Sequence, residues 1–92
     1  MKIQYGGKEL EVKVLNLNQL SEFEEKFGSW DQYKEKMPLR CVRYIAFMAI
    51  REVFKTVTEE EVGANLTMAS MPGVALLISE TADYALKIPA SK

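Results

Sequence analysis

The sequence predicts a mainly α-helical single domain over residues 1–92, with a β-hairpin at 1–15, a compact bundle of about four to five helices at 16–88, and a frayed tail at 89–92. Alternating apolar and charged residues near the N-terminus indicate strands, and apolar residues at helical spacing follow them. Of the 92 residues, 48% are hydrophobic and 27% are charged. That composition is typical of a folded chain with one modest core.

The hairpin prediction depends on Gly6 and Gly7, which lie between two alternating segments. A glycine pair readily takes the positive φ angles of a two-residue hairpin turn. This turn places Tyr5 opposite Lys8 and Ile3 opposite Leu10. The second strand would present apolar residues on one face: Leu10, Val12 and Val14. Because an isolated hairpin is only marginally stable in water, this face should lie on helices or on another chain's sheet.

Two helices are predicted next. Asn16 or Asn18 can cap the first, which ends before Gly28. Its apolar residues are Leu17, Leu20, Phe23 and Phe27. Ser29 opens a short second helix, with Gln32 at the spacing of a capping box. Its apolar face comprises Trp30, Tyr33 and Met37, and Pro38 ends it.

Pro38 also suits the first turn of a third helix, predicted to run to about Lys55. A fourth helix begins after Thr58, with Glu61 completing a capping box and Val57 and Val62 in the positions of a hydrophobic staple. The last helix should start near Ser70–Pro72. Its core face is predicted to comprise Val74, Leu77, Ile78, Thr81, Ala85 and Ile88. Leu76 and Leu86 fall near its polar side, where they would contact a partner.

The glutamates at 59–61 admit two interpretations, a metal or acid–base site and a helix start. The helix start is favoured, because acidic residues in a first turn complement the helix dipole. The chain contains no histidine, and Cys41 is its one cysteine. A second acidic group, at 22–25, would spread over the solvent side of the first helix. We therefore predict no enzyme activity, no catalytic residue, no metal site and no cofactor.

Charge and hydropathy bear on location. The net charge is −1, so the overall field favours neither nucleic acid nor a membrane. The longest uninterrupted apolar run, Tyr44–Ile50, is far shorter than the roughly 20 residues that cross a bilayer. The N-terminus has no apolar segment typical of a secretory signal, and a lone cysteine suits a reducing compartment. The expected location is the cytoplasm.

The third helix carries the predicted binding surface. One arc should face the core: Leu39, Val42, Ile45, Ala46, Ala49, Ile50 and Val53. The opposite arc is the predicted protein-binding face: Arg40, Tyr44, Phe47, Met48, Arg51 and Lys55. Arginine mixed with aromatic residues is typical of protein interfaces. In the alternative, this helix is central and other helices cover both of its sides.

A nucleic-acid surface is a third possibility for this helix. Its basic residues would be Arg40, Arg43, Arg51 and Lys55. Glu52 lies among them, and carboxylates at 22–25 and 59–61 add negative charge. Nucleic-acid binding is therefore the least favoured reading.

Several of these features together resemble the phage tail assembly chaperones. They are the glycine turn at Gly6-Gly7, the helix containing Phe23-Glu24-Glu25 and ending at Phe27-Gly28, and the helix start at Thr58–Gly63. The resemblance covers about three quarters of the chain. It implies a mostly helical fold without catalysis, whose partner is the tape-measure protein that sets tail length. It also implies that the cytoplasm is that of a bacterial host.

Such a chaperone would cover the apolar stripe of a long helical partner and be displaced when tail-tube subunits arrive. An adaptable groove could be formed by Met37, Met48, Met68 and Met71, although methionine also fills ordinary cores. Two other function classes stay open. One is an oligomeric phage structural or connector component that contacts copies of itself, and the other is a small nucleic-acid-binding regulator.

Overall fold

A computed structural model describes residues 1–33 and 36–87, and for Asp31 and residues 85–87 it describes the backbone alone. Its elements in chain order are β1 (Lys2–Tyr5), β2 (Lys8–Glu11), α1 (Leu17–Phe27), a 3₁₀ turn (Trp30–Tyr33), α2 (Leu39–Arg51), α3 (Glu59–Asn65), a second 3₁₀ turn (Met68–Ser70) and α4 (Met71–Lys87). The predicted fold class, a mainly helical globule behind an N-terminal hairpin, is confirmed. The predicted tail at 89–92 lies outside the described residues.

The hairpin has the predicted register. β1 and β2 pair antiparallel, with Ile3 opposite Leu10 and Tyr5 opposite Lys8. Gly6 and Gly7 have φ angles of +57° and +81°, which side chains with a Cβ rarely adopt. The glycine pair therefore makes the tight turn that sets the register.

Helices of the same chain cover the hairpin's apolar face. Of the two predicted partners for this face, helices or another chain's sheet, the structure has the helices. Ile3 and Val12 are buried in the common core. β1 lies directly against the start of α4, where a Cβ added at Gly73 would lie 2.4 Å from the carbonyl oxygen of Lys2. The Ser70 hydroxyl donates a hydrogen bond to the carbonyl oxygen of Gln4. β1 is thus anchored on the side away from β2.

The cap of α1 is Asn16 rather than Asn18. Its side-chain oxygen accepts a hydrogen bond from the Gln19 amide at 2.9 Å, and the Gln19 side chain accepts one from the Asn16 amide at 2.9 Å. The helix ends before Gly28, as predicted. The predicted second helix is a single 3₁₀ turn, Trp30–Tyr33, so Met37 lies beyond it. The Phe23 ring packs against Trp30 at a centroid distance of 5.1 Å.

The third predicted helix is shorter than expected. α2 ends at Arg51 instead of Lys55. Beyond this end, the amides of Val53 and Phe54 share the carbonyl oxygen of Ile50 as the chain turns. Four members of the predicted core arc are buried: Ile45, Ala46, Ala49 and Ile50. The prediction was wrong for Leu39 and Val53, which are exposed. Leu39 begins α2 and Val53 follows its end, so the elements that cover the middle of α2 do not cover them.

The last two helices start where the sequence predicts. The Thr58 hydroxyl accepts a hydrogen bond from the Glu61 amide at 3.1 Å, and the Glu61 carboxylate accepts one from the Thr58 amide at 2.9 Å. Val62 is buried below this cap. On α4 the predicted core face is buried at Val74, Leu77 and Thr81. Ile88 and the side chains of Ala85 and Leu86 lie outside the described residues.

Candidate functional site

The structure divides the predicted protein-binding face of α2. Tyr44 is 7% exposed and Met48 is fully buried, so the prediction that these two side chains point away from the core was wrong. The reason is α1, which packs over this side of α2. Arg40 and Lys55 are exposed, and Phe47 and Arg51 are half-buried.

Aromatic and charged residues meet where α1 crosses α2. The Tyr44 hydroxyl donates a hydrogen bond to the Glu22 carboxylate, and the Arg51 guanidinium donates another at 3.0 Å. The same guanidinium stacks on the Phe47 ring, 4.9 Å from its centroid. The arginine and aromatic side chains that the sequence predicts for a protein interface therefore contact one another within a single molecule. We call this cluster the seam; it consists of Glu22, Tyr44, Phe47 and Arg51.

The seam shifts the acidities of two of its members. The hydrogen bond from Tyr44, with help from Arg51, lowers the pKa of the Glu22 carboxyl against the opposing effect of burial. Burial, reinforced by the Glu22 hydrogen bond and charge, raises the pKa of Tyr44 to about 12. Near neutral pH the pair is therefore a carboxylate beside a neutral phenol, which is a structural contact rather than a proton-transfer pair.

Three of the four basic residues that would form a nucleic-acid surface lie beside carboxylates. Arg43 donates to Glu59 at 3.1 Å, and Arg51 donates to Glu22. The Lys55 ammonium lies 3.9 Å from Glu52. These neighbours reduce the charge available for phosphates.

An open cavity lies between the start of α2, the C-terminal part of α3 and the start of α4. Its volume is about 450 Å³, and we call it the apolar groove; its lining residues are Leu39, Arg40, Val42, Arg43, Gly63, Leu66 and Met71. Leu39 is 83% exposed, and Met68, which lies in the chain between two lining residues, is 85% exposed. These are the two most exposed large hydrophobic side chains among the described residues. Such exposure is typical of a protein contact surface.

A polar recess adjoins the apolar groove and shares two of its arginines. Its volume is about 390 Å³, and it is lined by Lys26, Phe27, Tyr33, Arg40, Arg43 and Glu59. Arg43 is paired with Glu59, but Arg40 has no ion-pair partner among the described residues. The site can therefore take apolar side chains in the groove and a carboxylate at its rim.

Sequence reasoning found parts of this groove but not the whole. Of the methionines predicted for an adaptable groove, Met71 lines it and Met68 is exposed in the chain between two lining residues. Met48 is buried in the core, and Met37 packs against the core. Leu39 was assigned to the core, and no periodicity connects it with Leu66. The groove combines three elements that are distant in sequence, so only their packing reveals it.

The described residues include no group of three or more histidine, cysteine, aspartate or glutamate side chains that could hold a metal ion. Two of the glutamates at 59–61 have other partners, because Glu59 pairs with Arg43 and Glu61 caps α3. Cys41 is buried, and burial raises the pKa of its thiol. This cysteine is therefore a protonated core residue at neutral pH.

Comparison with protein-family models, with curated proteins and with solved structures finds no match to this chain. Within residues 1–33 and 36–87, no single helix is long and apolar enough to cross a membrane. The pair Glu59–Asn65 and Met68–Tyr84, bent by 98°, meets the criteria of length and composition only when taken together.

Proposed function

We propose that this chain is a non-catalytic phage tail assembly chaperone, which binds the tape-measure protein and keeps it soluble during tail assembly. The observation that carries the proposal is the apolar groove with Leu39 at its edge. A large side chain that is 83% exposed beside an open apolar cavity is stabilised when a partner covers it. The identity of the partner comes from the resemblance, through the glycine turn, the Phe27-Gly28 helix end and the Thr58 helix start.

The groove suits an amphipathic helix of the partner. Apolar side chains of that helix would pack on Val42, Leu66 and Met71, while Leu39 closes over them. Arg40 at the rim would pair with a carboxylate on the partner's polar side. This function needs no covalent chemistry. Tail-tube subunits can displace the chaperone by competing for the apolar stripe of the tape-measure protein.

The test is co-expression with a candidate tape-measure protein from the same phage or prophage genome. We expect wild-type chain to raise the soluble yield of that protein and Leu39→Gln to abolish the gain. Leu17→Gln is a matched control, because Leu17 is also the first residue of its helix and is 56% exposed. Circular dichroism should show that both variants remain folded.

Two results would contradict the proposal. If the wild-type chain leaves the tape-measure protein insoluble, the chaperone function is wrong. If Leu39→Gln and Leu17→Gln raise the soluble yield of the tape-measure protein equally well, the apolar groove is not where the partner binds.

A second candidate is an oligomeric structural or connector component of the phage. It is favoured by exposed apolar residues on α4, where Leu76 is 47% exposed. This candidate predicts self-association without any effect on the tape-measure protein, so the same co-expression experiment separates the two functions.

A further inference from the structure

The outward side of α4 carries a second exposed surface. We call it the acidic stripe, and it consists of Leu76, Glu80, Asp83 and Tyr84. These residues are spaced by four, seven and eight positions, so they share one side of the helix. Leu76 is 47% and Tyr84 39% exposed, and both carboxylates are exposed as well. Neither Glu80 nor Asp83 has an ion-pair partner among the described side chains.

The acidic stripe and the apolar groove complement each other in chemistry. The groove offers an apolar floor and, at its rim, Arg40, which has no ion-pair partner among the side chains that the structure describes. The stripe offers two apolar side chains with carboxylates between them. Leu76 and Tyr84 are two helical turns apart, about 12 Å along the axis. An apolar anchor with an adjacent carboxylate is the ligand that the groove and its arginine can hold.

The two surfaces cannot meet within one molecule. Met71, at the start of α4, lines the groove, and the stripe lies further along the same continuous helix. An α-helix without a break cannot fold back on its own first turn. An acidic stripe can therefore reach an apolar groove only in a second copy of the chain.

We propose that copies of this chain associate head to tail, with the acidic stripe of one copy seated in the apolar groove of the next. The contact joins two different surfaces, so each pair keeps one free groove and one free stripe. Repeating this contact from copy to copy builds a closed ring or an open filament. This association does not require the proposed chaperone function, although a tape-measure helix in the groove would compete with it.

The first experiment measures molar mass by light scattering and sedimentation over a range of concentrations. We expect the mass of wild-type chain to rise with concentration and to fall with added salt, because salt screens the carboxylate–guanidinium contacts. Arg40→Glu and Glu80→Arg should each stay monomeric, and one chain with both changes should associate again. The charge-reversed control Glu25→Arg, at an exposed site on α1, should behave as wild type.

The second experiment tests the head-to-tail geometry. Leu39→Gln removes the groove's edge and Leu76→Gln removes the stripe's anchor, so each variant alone should be monomeric. When the two variants are mixed, the intact acidic stripe of Leu39→Gln can occupy the intact apolar groove of Leu76→Gln. The mixture should therefore form a dimer that does not grow further.

A wild-type chain that is monomeric at every concentration would overturn the proposal. So would association that survives Leu39→Gln or Leu76→Gln, or a mixture of the two variants that stays monomeric. Failure here is distinguishable from failure of the chaperone function, since Leu76→Gln should still solubilise the tape-measure protein.

Discussion

Single residues set where helices begin, and Thr58 is the clearest case. Its hydroxyl and amide both bond to Glu61, which gives α3 two of the hydrogen bonds that a helix start otherwise lacks. We expect Thr58→Ala to lower the free energy of unfolding by about 1 kcal/mol, measured by urea denaturation. Thr56→Ala, at an exposed residue two positions before the cap, is the control and should have little effect. Equal losses in the two variants would show that the cap does not stabilise α3.

The Glu22 carboxylate makes the free energy of unfolding depend on pH. Its pKa in the folded chain is below the ordinary value of 4.5, chiefly because Tyr44 donates a hydrogen bond to it. As pH falls, the unfolded chain takes up this proton first, so the stabilisation is present above about pH 4.5 and is lost as pH falls through the folded pKa.

We therefore expect Glu22→Gln to be less stable than wild type at neutral pH, with a difference that shrinks in acid. Urea denaturation at neutral pH and below about pH 4 measures both values. Glu25→Gln removes an exposed carboxylate from the same helix and is the matched control, measured at the same two pH values. A Glu22→Gln difference that does not depend on pH would contradict the proposed coupling.

At the scale of the elements, α4 and β1 approach each other closely at Gly73. A Cβ at this position would lie 2.4 Å from the Lys2 carbonyl oxygen and 3.0 Å from the Ile3 Cα, and backbone atoms cannot move aside cheaply. We expect Gly73→Ala to separate the helix from the strand and to cost about 1–3 kcal/mol, or more, by thermal or urea denaturation.

Gly63 is the matched control, since it is also a helical glycine. A Cβ there would meet the Arg43 side chain at 3.0 Å, and that side chain can move. Gly63→Ala also gains helix propensity, up to about 1 kcal/mol, so we expect it to be neutral or slightly stabilising. The reverse order of the two glycine variants would mean that α4 does not rest on β1.

At the scale of the whole molecule, the hairpin and the helices share one core. Ile3 is fully buried in the same cluster as residues from α1, α2, α3 and α4, whereas its neighbour Gln4 is exposed. We expect Ile3→Ala to lower stability by about 2–5 kcal/mol, and Gln4→Ala to change it little. Trp30, near the end of α1, should report the Ile3→Ala change in a fluorescence-detected unfolding curve. An unchanged Trp30 midpoint would show that the hairpin unfolds separately.

The sequence alone determined the features that depend on near neighbours. The turn at Gly6-Gly7, the register it sets, and the start of α3 at Thr58 could all be predicted, because their contacts span only a few positions. The end of α1 at Gly28 follows the same rule. In each case the physical requirement, a positive φ angle or an unpaired amide, is local.

The tertiary structure decided which side of α2 is core and where the candidate site lies. The α2 sequence is apolar over more than one arc, so periodicity cannot tell a second covered side from a binding face. α1 covers Tyr44 and Met48, while Leu39 stays exposed at the start of α2. The apolar groove then joins Leu39 to Leu66 and Met71, since a cavity between three helices exists only once they pack.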